Sequence, residues 1–306
     1  MGIPEEYRGV VAITLASILV LGGSFAVFTT SAGTANSGKL EVVASFYPLY
    51  YFADQIGKDR IEIHMLIPDN AEPHSWEPKA TDIFKVHNAD VFIFNGGGFE
   101  PWVTSFLPNL KAGATIVDTS AGVDQTGQED PHFWIDPVSA KIQVGEILQA
   151  LVSNDPSNAT FYQDNAADLN SRLDKLDQDY VTGLHVLDPV KRNKSDFITT
   201  HEGFNYLASR YGLVDHGAVG ISGDAQPSAR DLADLAKEIQ TLGLKYVYAE
   251  PIYNDAVIQT IAGETGCRIL VLDALHGRSG AHAHMDYFQI MYANLDSLRI
   301  GLEVEQ

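Results

Sequence analysis

Cysteine is almost absent from this sequence of 306 residues, and basic residues are scarce. The single cysteine, Cys267, excludes an internal disulfide and any zinc site built on several thiolates. Lysine and arginine total 20 against 40 acidic residues, for a formal net charge of −20. Such a chain repels polyanions, so we expect no nucleic-acid partner. If the protein binds a metal, its 10 histidines and its carboxylates must supply the ligands.

Long apolar runs are also scarce, and the one at residues 9–28 contains no charged residue. A helix of about 20 such residues can cross a membrane, and cleaved signals usually have shorter apolar regions. We expect an uncleaved membrane anchor; a cleaved signal, with small residues at Ala32 and Ala35, is the alternative, and a buried core helix is a third. The single cysteine, Cys267, lies far beyond the run, which excludes a lipoprotein anchor.

The stretch TTSAGTANSGK then reads as a flexible tether, so the folded part begins near Lys39 and lies outside the cytoplasmic membrane. From there the chain alternates β-rich and helix-like segments, which predicts an α/β fold with parallel sheets flanked by helices. The predicted strands form two sets: 40–46, 61–67, 91–94 and 115–118, then 196–199, 214–219, 246–249 and 269–272.

A long amphipathic helix separates the two sets. Its apolar residues lie mostly three or four apart, which is the spacing of one helical face: Phe161, Leu169, Leu173, Leu176, Tyr180 and Leu184. The chain therefore divides into an anchor and tether at 1–38, a first lobe at 39–157, a linking helix at 158–188 and a second lobe at 189–306.

Four potential metal ligands follow predicted strands: His74, His132, His201 and Asp273. We expect His201 to open a helix. Ligands of open parallel sheets collect beyond the carboxyl ends of the strands, so two facing lobes would bring these side chains together. Three imidazoles and a carboxylate complete a zinc site, and a bidentate carboxylate also suits manganese. For each residue taken alone, a cap or a hydrogen-bonded loop position is the competing interpretation.

Several longer motifs follow one another along residues 42–302: VVASFYPLYYFADQIG, EPHSWEPKATDIFKVHNADVFIFNGGGFEPW, DPHFWIDP, THEGFNYLASRYGL and EPIYNDAVIQTIAGETGCRILVLDAL. Together they resemble the metal-binding substrate-binding proteins of ABC transporters for zinc and manganese, the cluster that includes lipoprotein adhesins. The resemblance implies two lobes bridged by one long rigid helix, with the metal in the cleft between them. It also implies the ligand set His74, His132, His201 and Asp273, and an ABC permease as partner.

The sequence departs from the zinc-type pattern because no long histidine-rich loop precedes His132. His276, His282 and His284 cluster after Asp273 instead, either as an accessory zinc-collecting loop or as a mobile polar loop. Three nitrogen ligands favour zinc, since manganese prefers oxygen. Manganese is the alternative cargo.

Residues around the ligands have weaker assignments. Asp136, Glu202 or Glu250 could orient an imidazole, or serve as helix caps or first-turn carboxylates. Trp76, Trp134 and Tyr206 are expected to wall the site or to pack in the core. His64, His87, His185 and His216 are expected to be structural or surface residues.

The predicted function is an extracytoplasmic, monomeric, non-catalytic receptor that delivers a divalent metal ion, zinc first, to an ABC-type importer. The alternative class is a secreted zinc hydrolase, but no HExxH or GxSxG motif is present and four ligands leave no open position for water. Surface adhesion could coexist with metal binding.

Overall fold

The computed structural model describes residues 38–125, 130–221, 223 and 227–305. Residues Lys39–Gln306 form one compact unit. The charge-free run at 9–28 and most of the tether lie outside the described residues, so the anchor and signal hypotheses stay predictions. Within the described part, no helix combines the length and apolarity needed to span a membrane.

The first sheet has four parallel strands: β1 (Leu40–Ala44), β2 (Ile61–Met65), β3 (Val91–Phe94) and β4 (Thr115–Asp118). Their order across the sheet is β2-β1-β3-β4. Val42 of the central strand β1 lies opposite Ile63 on one side and Val91 on the other. All four residues of β3 are buried, as expected for a parallel strand covered on both faces.

Helices α1 (Tyr47–Gly57), α2 (Ala80–His87), α3 (Val103–Phe106) and α4 (Pro137–Asn154) connect or follow these strands. Helix α4 begins where the sequence provides both an N-cap and a proline. The carboxylate of Asp136 accepts hydrogen bonds from the backbone N–H groups of Val138 and Ser139, and Pro137 occupies the first turn, where no N–H is needed.

The linking helix α5 (Ala159–Gly183) has 25 residues and is about 38 Å long at 1.5 Å per residue. Its buried face comprises Tyr162, Ala166, Leu169, Leu173, Leu176 and Tyr180. This face packs on α1 and α4 of the first lobe. The predicted stripe is therefore observed, except that Tyr162 rather than its neighbour Phe161 is fully buried.

The second lobe contains two parallel strand pairs. Its elements are β5 (Asp196–His201), α6 (Asn205–Tyr211), β6 (Val214–Val219), α7 (Ala229–Leu242), β7 (Tyr246–Ala249), α8 (Ala256–Thr265), β8 (Arg268–Val271) and α9 (Tyr287–Gly301). Strand β5 pairs with β6, β7 pairs with β8, and β5 packs beside β7. The predicted fold class, parallel sheets flanked by helices with one long helix, is confirmed.

Helix α9 returns from the second lobe to the linking helix. Tyr180 of α5 donates a hydrogen bond to the carbonyl oxygen of Met291 at 2.6 Å, and the Arg172 guanidinium lies 4.0 Å from the centroid of the Phe288 ring. Because α5 also packs on the first lobe, one helix contacts elements of both lobes.

We predict that Leu173→Ala lowers the free energy of unfolding by roughly 2–5 kcal/mol, because this fully buried side chain would leave a cavity in the face of α5. The measurement is urea denaturation followed by circular dichroism. The control, Gln163→Ala on the exposed face, should change the free energy by no more than about 0.5 kcal/mol. Equal effects of the two substitutions would contradict the assigned core face.

Candidate metal centre

One group of four potential ligand residues comes together among the described residues: His74, His132, His201 and His276. Their ligand atoms all lie within 4.8 Å of one another. The Nε2 atom of His132 lies 3.1 Å from that of His74, 3.0 Å from that of His276 and 3.2 Å from that of His201. Nitrogens bound tetrahedrally to zinc at about 2.0–2.1 Å lie roughly 3.3 Å apart, so this spacing suits one such ion.

The parallel strands deliver these imidazoles to one place. His201 is the last residue of β5, and His276 lies in the loop after β8. His74 lies between β2 and α2, and His132 follows β4 and immediately precedes the short 3-10 turn Phe133–Ile135. The expectation that His201 opens a helix is wrong, since α6 begins four residues later at Asn205.

Asp273, the carboxylate predicted beside the three histidines, lies outside the group because both of its oxygens have other partners. Oδ1 accepts a hydrogen bond from the Leu275 N–H at 2.8 Å, and Oδ2 accepts one from Nδ1 of His282 at 2.8 Å. Three residues further on, His276 occupies the fourth place. Between them Leu275 adopts a left-handed backbone conformation (φ 56°), which a leucine in the sequence does not predict.

Hydrogen bonds fix the tautomers of three imidazoles. Nδ1 of His132 contacts the Asp130 carboxylate at 2.5 Å, and Nδ1 of His201 contacts the Glu250 carboxylate at 2.6 Å. A carboxylate accepts the proton of Nδ1–H, which leaves the Nε2 lone pair facing the centre.

Nδ1 of His276 lies 3.1 Å from the Tyr253 hydroxyl, and that hydroxyl lies 3.2 Å from a carboxylate oxygen of Glu72. The hydroxyl proton goes to the carboxylate, so the oxygen accepts from Nδ1–H and the His276 Nε2 also presents a lone pair.

Burial keeps most of the group uncharged. It lowers the pKa of His74 to about 2, helped by repulsion from His132 and His201, and it places the pKa of His276 well below its ordinary value. Burial also lowers the pKa of His132 despite the Asp130 carboxylate. For His201 burial lowers the pKa, but the charge and hydrogen bond of Glu250, together with the charges of Asp215 and Asp130, outweigh burial and raise the pKa overall. Neutral imidazole is the form that binds metal, so His74, His132 and His276 are ready to ligate at neutral pH.

Aromatic rings enclose the group on the first-lobe side. Phe99 lies 4.8 Å from the ring of His74, and Trp134 lies 5.1 Å from that of His132 and 5.8 Å from that of His276. Trp134 is thus a wall residue, as expected, whereas Phe99 was not anticipated. Trp76 packs on Trp102 and lines a groove of about 450 Å³ that also borders His74.

Tyr206 does not reach the group. It packs on Phe133, with 5.4 Å between the ring centroids, and donates a hydrogen bond to the Asp124 carbonyl. Of the carboxylates proposed to orient an imidazole, Glu250 contacts His201, Asp136 caps α4, and Glu202 is exposed. Asp130, which orients His132, was missed although it stands only two residues before it.

The loop histidines have separate positions. His276 belongs to the group, His282 is buried against Asp273, and His284 is exposed. The remaining histidines lie outside the group: His64, His87, His185 and His216.

The resemblance to substrate-binding proteins of metal-ion ABC transporters implied two lobes of parallel strands, one long linking helix and a metal site between the lobes; the structure has parallel strands, a 25-residue helix and a histidine group at the carboxyl strand ends. The chain belongs to the family of the zinc-uptake complex component A, described as periplasmic, whose model matches residues 42–301.

Individual relatives agree with this family. The high-affinity zinc uptake system protein ZnuA of Bacillus subtilis is 36% identical over 300 residues, which cover 90% of this chain and 92% of that protein. The zinc-binding protein AdcA of Streptococcus pyogenes is 31% identical over 297 residues, 87% of this chain, but the match spans only 57% of AdcA. The Zn(II)-bound ZnuA-like domain of Streptococcus pneumoniae AdcA superposes with a TM-score of 0.76 at 32% identity, covering 87% of this chain and all of that domain.

We predict that Gly203→Ala weakens zinc binding by at least about tenfold, the range for residues that orient metal ligands. A Cβ atom at this position would lie 2.4 Å from Nε2 of His201, so the ring must move. Isothermal titration in a competing chelator measures the affinity. Gly263→Ala, where a Cβ meets nothing within 4 Å, is the matched control and should bind like the unaltered protein. Unchanged affinity of Gly203→Ala would contradict the placement of the His201 ring.

Proposed function

We propose that this protein is an extracytoplasmic receptor that binds one zinc ion with high affinity and delivers it to an ABC-type importer. The observation that carries the proposal is the convergence of four imidazole Nε2 atoms, three of which lie 3.0–3.2 Å from that of His132. Membership of the zinc-uptake component A family supports the same conclusion.

The proposed ligands are His74, His132, His201 and His276. The last replaces Asp273, the ligand expected from the strand-end pattern and from the family resemblance. In this assignment Asp273 supports the site indirectly, because it holds the Leu275 N–H in the turn that leads to His276.

An all-imidazole site favours zinc over manganese. Imidazole suits zinc, whereas manganese prefers carboxylate, carbonyl and water oxygens. The two carboxylates nearest the group, Asp130 and Glu250, face Nδ1 atoms instead of the centre. Manganese is therefore the weaker cargo of this chain.

The closed ligand set favours a receptor over a hydrolase. Catalytic zinc sites keep one coordination position for water, whereas four protein nitrogens fill a tetrahedral shell. The transported ion is then cargo, and the protein is not an enzyme.

Further details of the receptor are part of the proposal. The folded part acts as a monomer outside the cytoplasmic membrane, attached through the segment at 9–28 or released after its cleavage. It docks on a permease with the two lobes at 39–157 and 189–306 joined by the linking region at 158–188.

Removal of a ligand tests the proposal. We predict that His132→Ala and His276→Ala each weaken zinc binding more than about 100-fold, whereas Asp273→Asn, which removes an indirect support, stays within about 10–100-fold. Competition titration of the residues from Lys39 onward gives the affinities, and elemental analysis gives the stoichiometry. Zinc binding that survives His276→Ala but is abolished by Asp273→Asn would restore the carboxylate as the fourth ligand. No zinc binding by the unaltered protein would refute the proposed function.

Metal preference is a separate prediction. His276→Glu should reduce the preference for zinc over manganese, because it puts an oxygen ligand in place of a nitrogen. Parallel titrations with the two metals give the ratio of dissociation constants, with His284→Glu at an exposed position as the control. An unchanged ratio in the His276→Glu variant would contradict the assignment of specificity to this residue.

A further inference from the structure

The loops that carry His74 and His276 contact each other across the two lobes. Arg278 binds the Asp69 carboxylate twice: its guanidinium Nη2 lies 2.9 Å from Oδ2, and its backbone N–H donates to Oδ1 at 3.0 Å. The preceding residue must be glycine for this approach, because a Cβ on Gly277 would lie 2.2 Å from the Asp69 carbonyl oxygen. The two backbones are therefore in direct contact.

The Arg278–Asp69 pair is better sheltered than an ordinary surface ion pair. The two side chains are 37% and 29% exposed, and the Arg278 guanidinium lies 4.9 Å from the centroid of the Tyr47 ring. The guanidinium Nε also lies 3.4 Å from Oδ1 of Asp69, which makes the pair bidentate. Bidentate geometry and a cation–π contact both make an arginine–carboxylate pair more specific than a single exposed contact.

A second connection links the same loops through Tyr253. Its hydroxyl lies between Glu72 Oε1, at 3.2 Å, and Nδ1 of His276, at 3.1 Å. The other oxygen of Glu72 accepts a hydrogen bond from the backbone of Ser75, the residue after His74. Displacement of the His74 loop would therefore break contacts that also hold the His276 ring.

The most accessible side of the histidine group lies in this region. His74 is the one member of the histidine group that is not fully buried, and it borders the groove of about 450 Å³. The loop from Leu66 to Lys79 contains no helix or strand, so its position relies on such contacts. An ion that leaves past His74 requires the loop to move away from the second lobe.

We propose that Asp69, Arg278 and Tyr253 are positioning residues that hold the His74 and His276 loops together and thereby set the rate at which bound zinc dissociates. We call the Asp69–Arg278 pair and the Glu72–Tyr253 hydrogen bond the interlobe latch. The inference rests on the proposed function, because it concerns the release of the ion that the four histidines hold.

Stopped-flow transfer of zinc from the loaded protein to an excess of a chromogenic chelator tests the latch. We expect Asp69→Asn, Arg278→Gln and Tyr253→Phe each to raise the dissociation rate about tenfold while the association rate changes less than about twofold, since affinity changes within one site lie mainly in dissociation. The double variant Asp69→Asn/Arg278→Gln should dissociate no faster than either single variant, because both changes remove one shared interaction. Arg278→Lys should have a dissociation rate between those of the unaltered protein and Arg278→Gln, since lysine keeps the charge but loses the bidentate contact.

Lys245→Gln is the matched control. It removes an ion pair of similar length, 2.6 Å to Glu303, at the amino end of β7 and away from the histidine group. Its dissociation rate should equal that of the unaltered protein. Unchanged dissociation in all three latch variants, or additive effects in the double variant, would overturn the inference while leaving zinc binding intact. Absence of zinc binding in the unaltered protein would overturn the proposed function and the latch together.

Discussion

The convergence of four imidazole Nε2 atoms in a largely buried space is the constraint on which the rest of the site depends. The Nε2 atom of His132 lies 3.0–3.2 Å from the other three, and nitrogen lone pairs at such distances repel one another unless a cation lies between them. The fold holds them there because carboxylates accept the Nδ1 protons of His132 and His201, which prevents either ring from turning its N–H inward. The site is thus preorganised for a cation before one arrives, and little ordering remains to oppose binding.

The linking helix explains how residues from both lobes stay in register. Helix α5 packs on α1 and α4 on one side and is hydrogen-bonded to α9 through Tyr180 on the other. Arg210 of α6 extends this arrangement, since it binds Asp177 of α5 at 2.6 Å and approaches Asp136 at 3.3 Å. A hinge between the lobes would have to break these contacts as well as the apolar face of α5. Motion confined to the His74 loop disturbs far fewer of them.

The sequence predicts the elements and three members of the histidine group, but not the fourth member. Strand and helix positions follow from periodicity, and the ends of parallel strands indicate where His74, His132 and His201 meet. The fourth member of the group, His276, could not be predicted from periodicity and strand ends. Asp273 and His276 both follow β8. Which of them joins the histidine group depends on the left-handed backbone of Leu275 and on the hydrogen bond between His282 and the Asp273 carboxylate. The role of Asp130 could not be predicted either, because an aspartate two residues before a histidine contacts that imidazole only where the backbone between them turns back.

Charge balance shows why four neutral ligands suit a buried divalent ion in this fold. A divalent cation held by imidazoles alone would carry its full charge into a region shielded from water, which is costly without nearby opposite charge. Asp130 and Glu250 are both buried and each touches one imidazole, so together they supply two negative charges next to the first coordination sphere. With the proposed ligands, a divalent ion, four neutral imidazoles and these two carboxylates would form a neutral unit. This arrangement keeps oxygen out of direct coordination, which disfavours manganese, while still supplying the charge that a zinc ion needs to be buried.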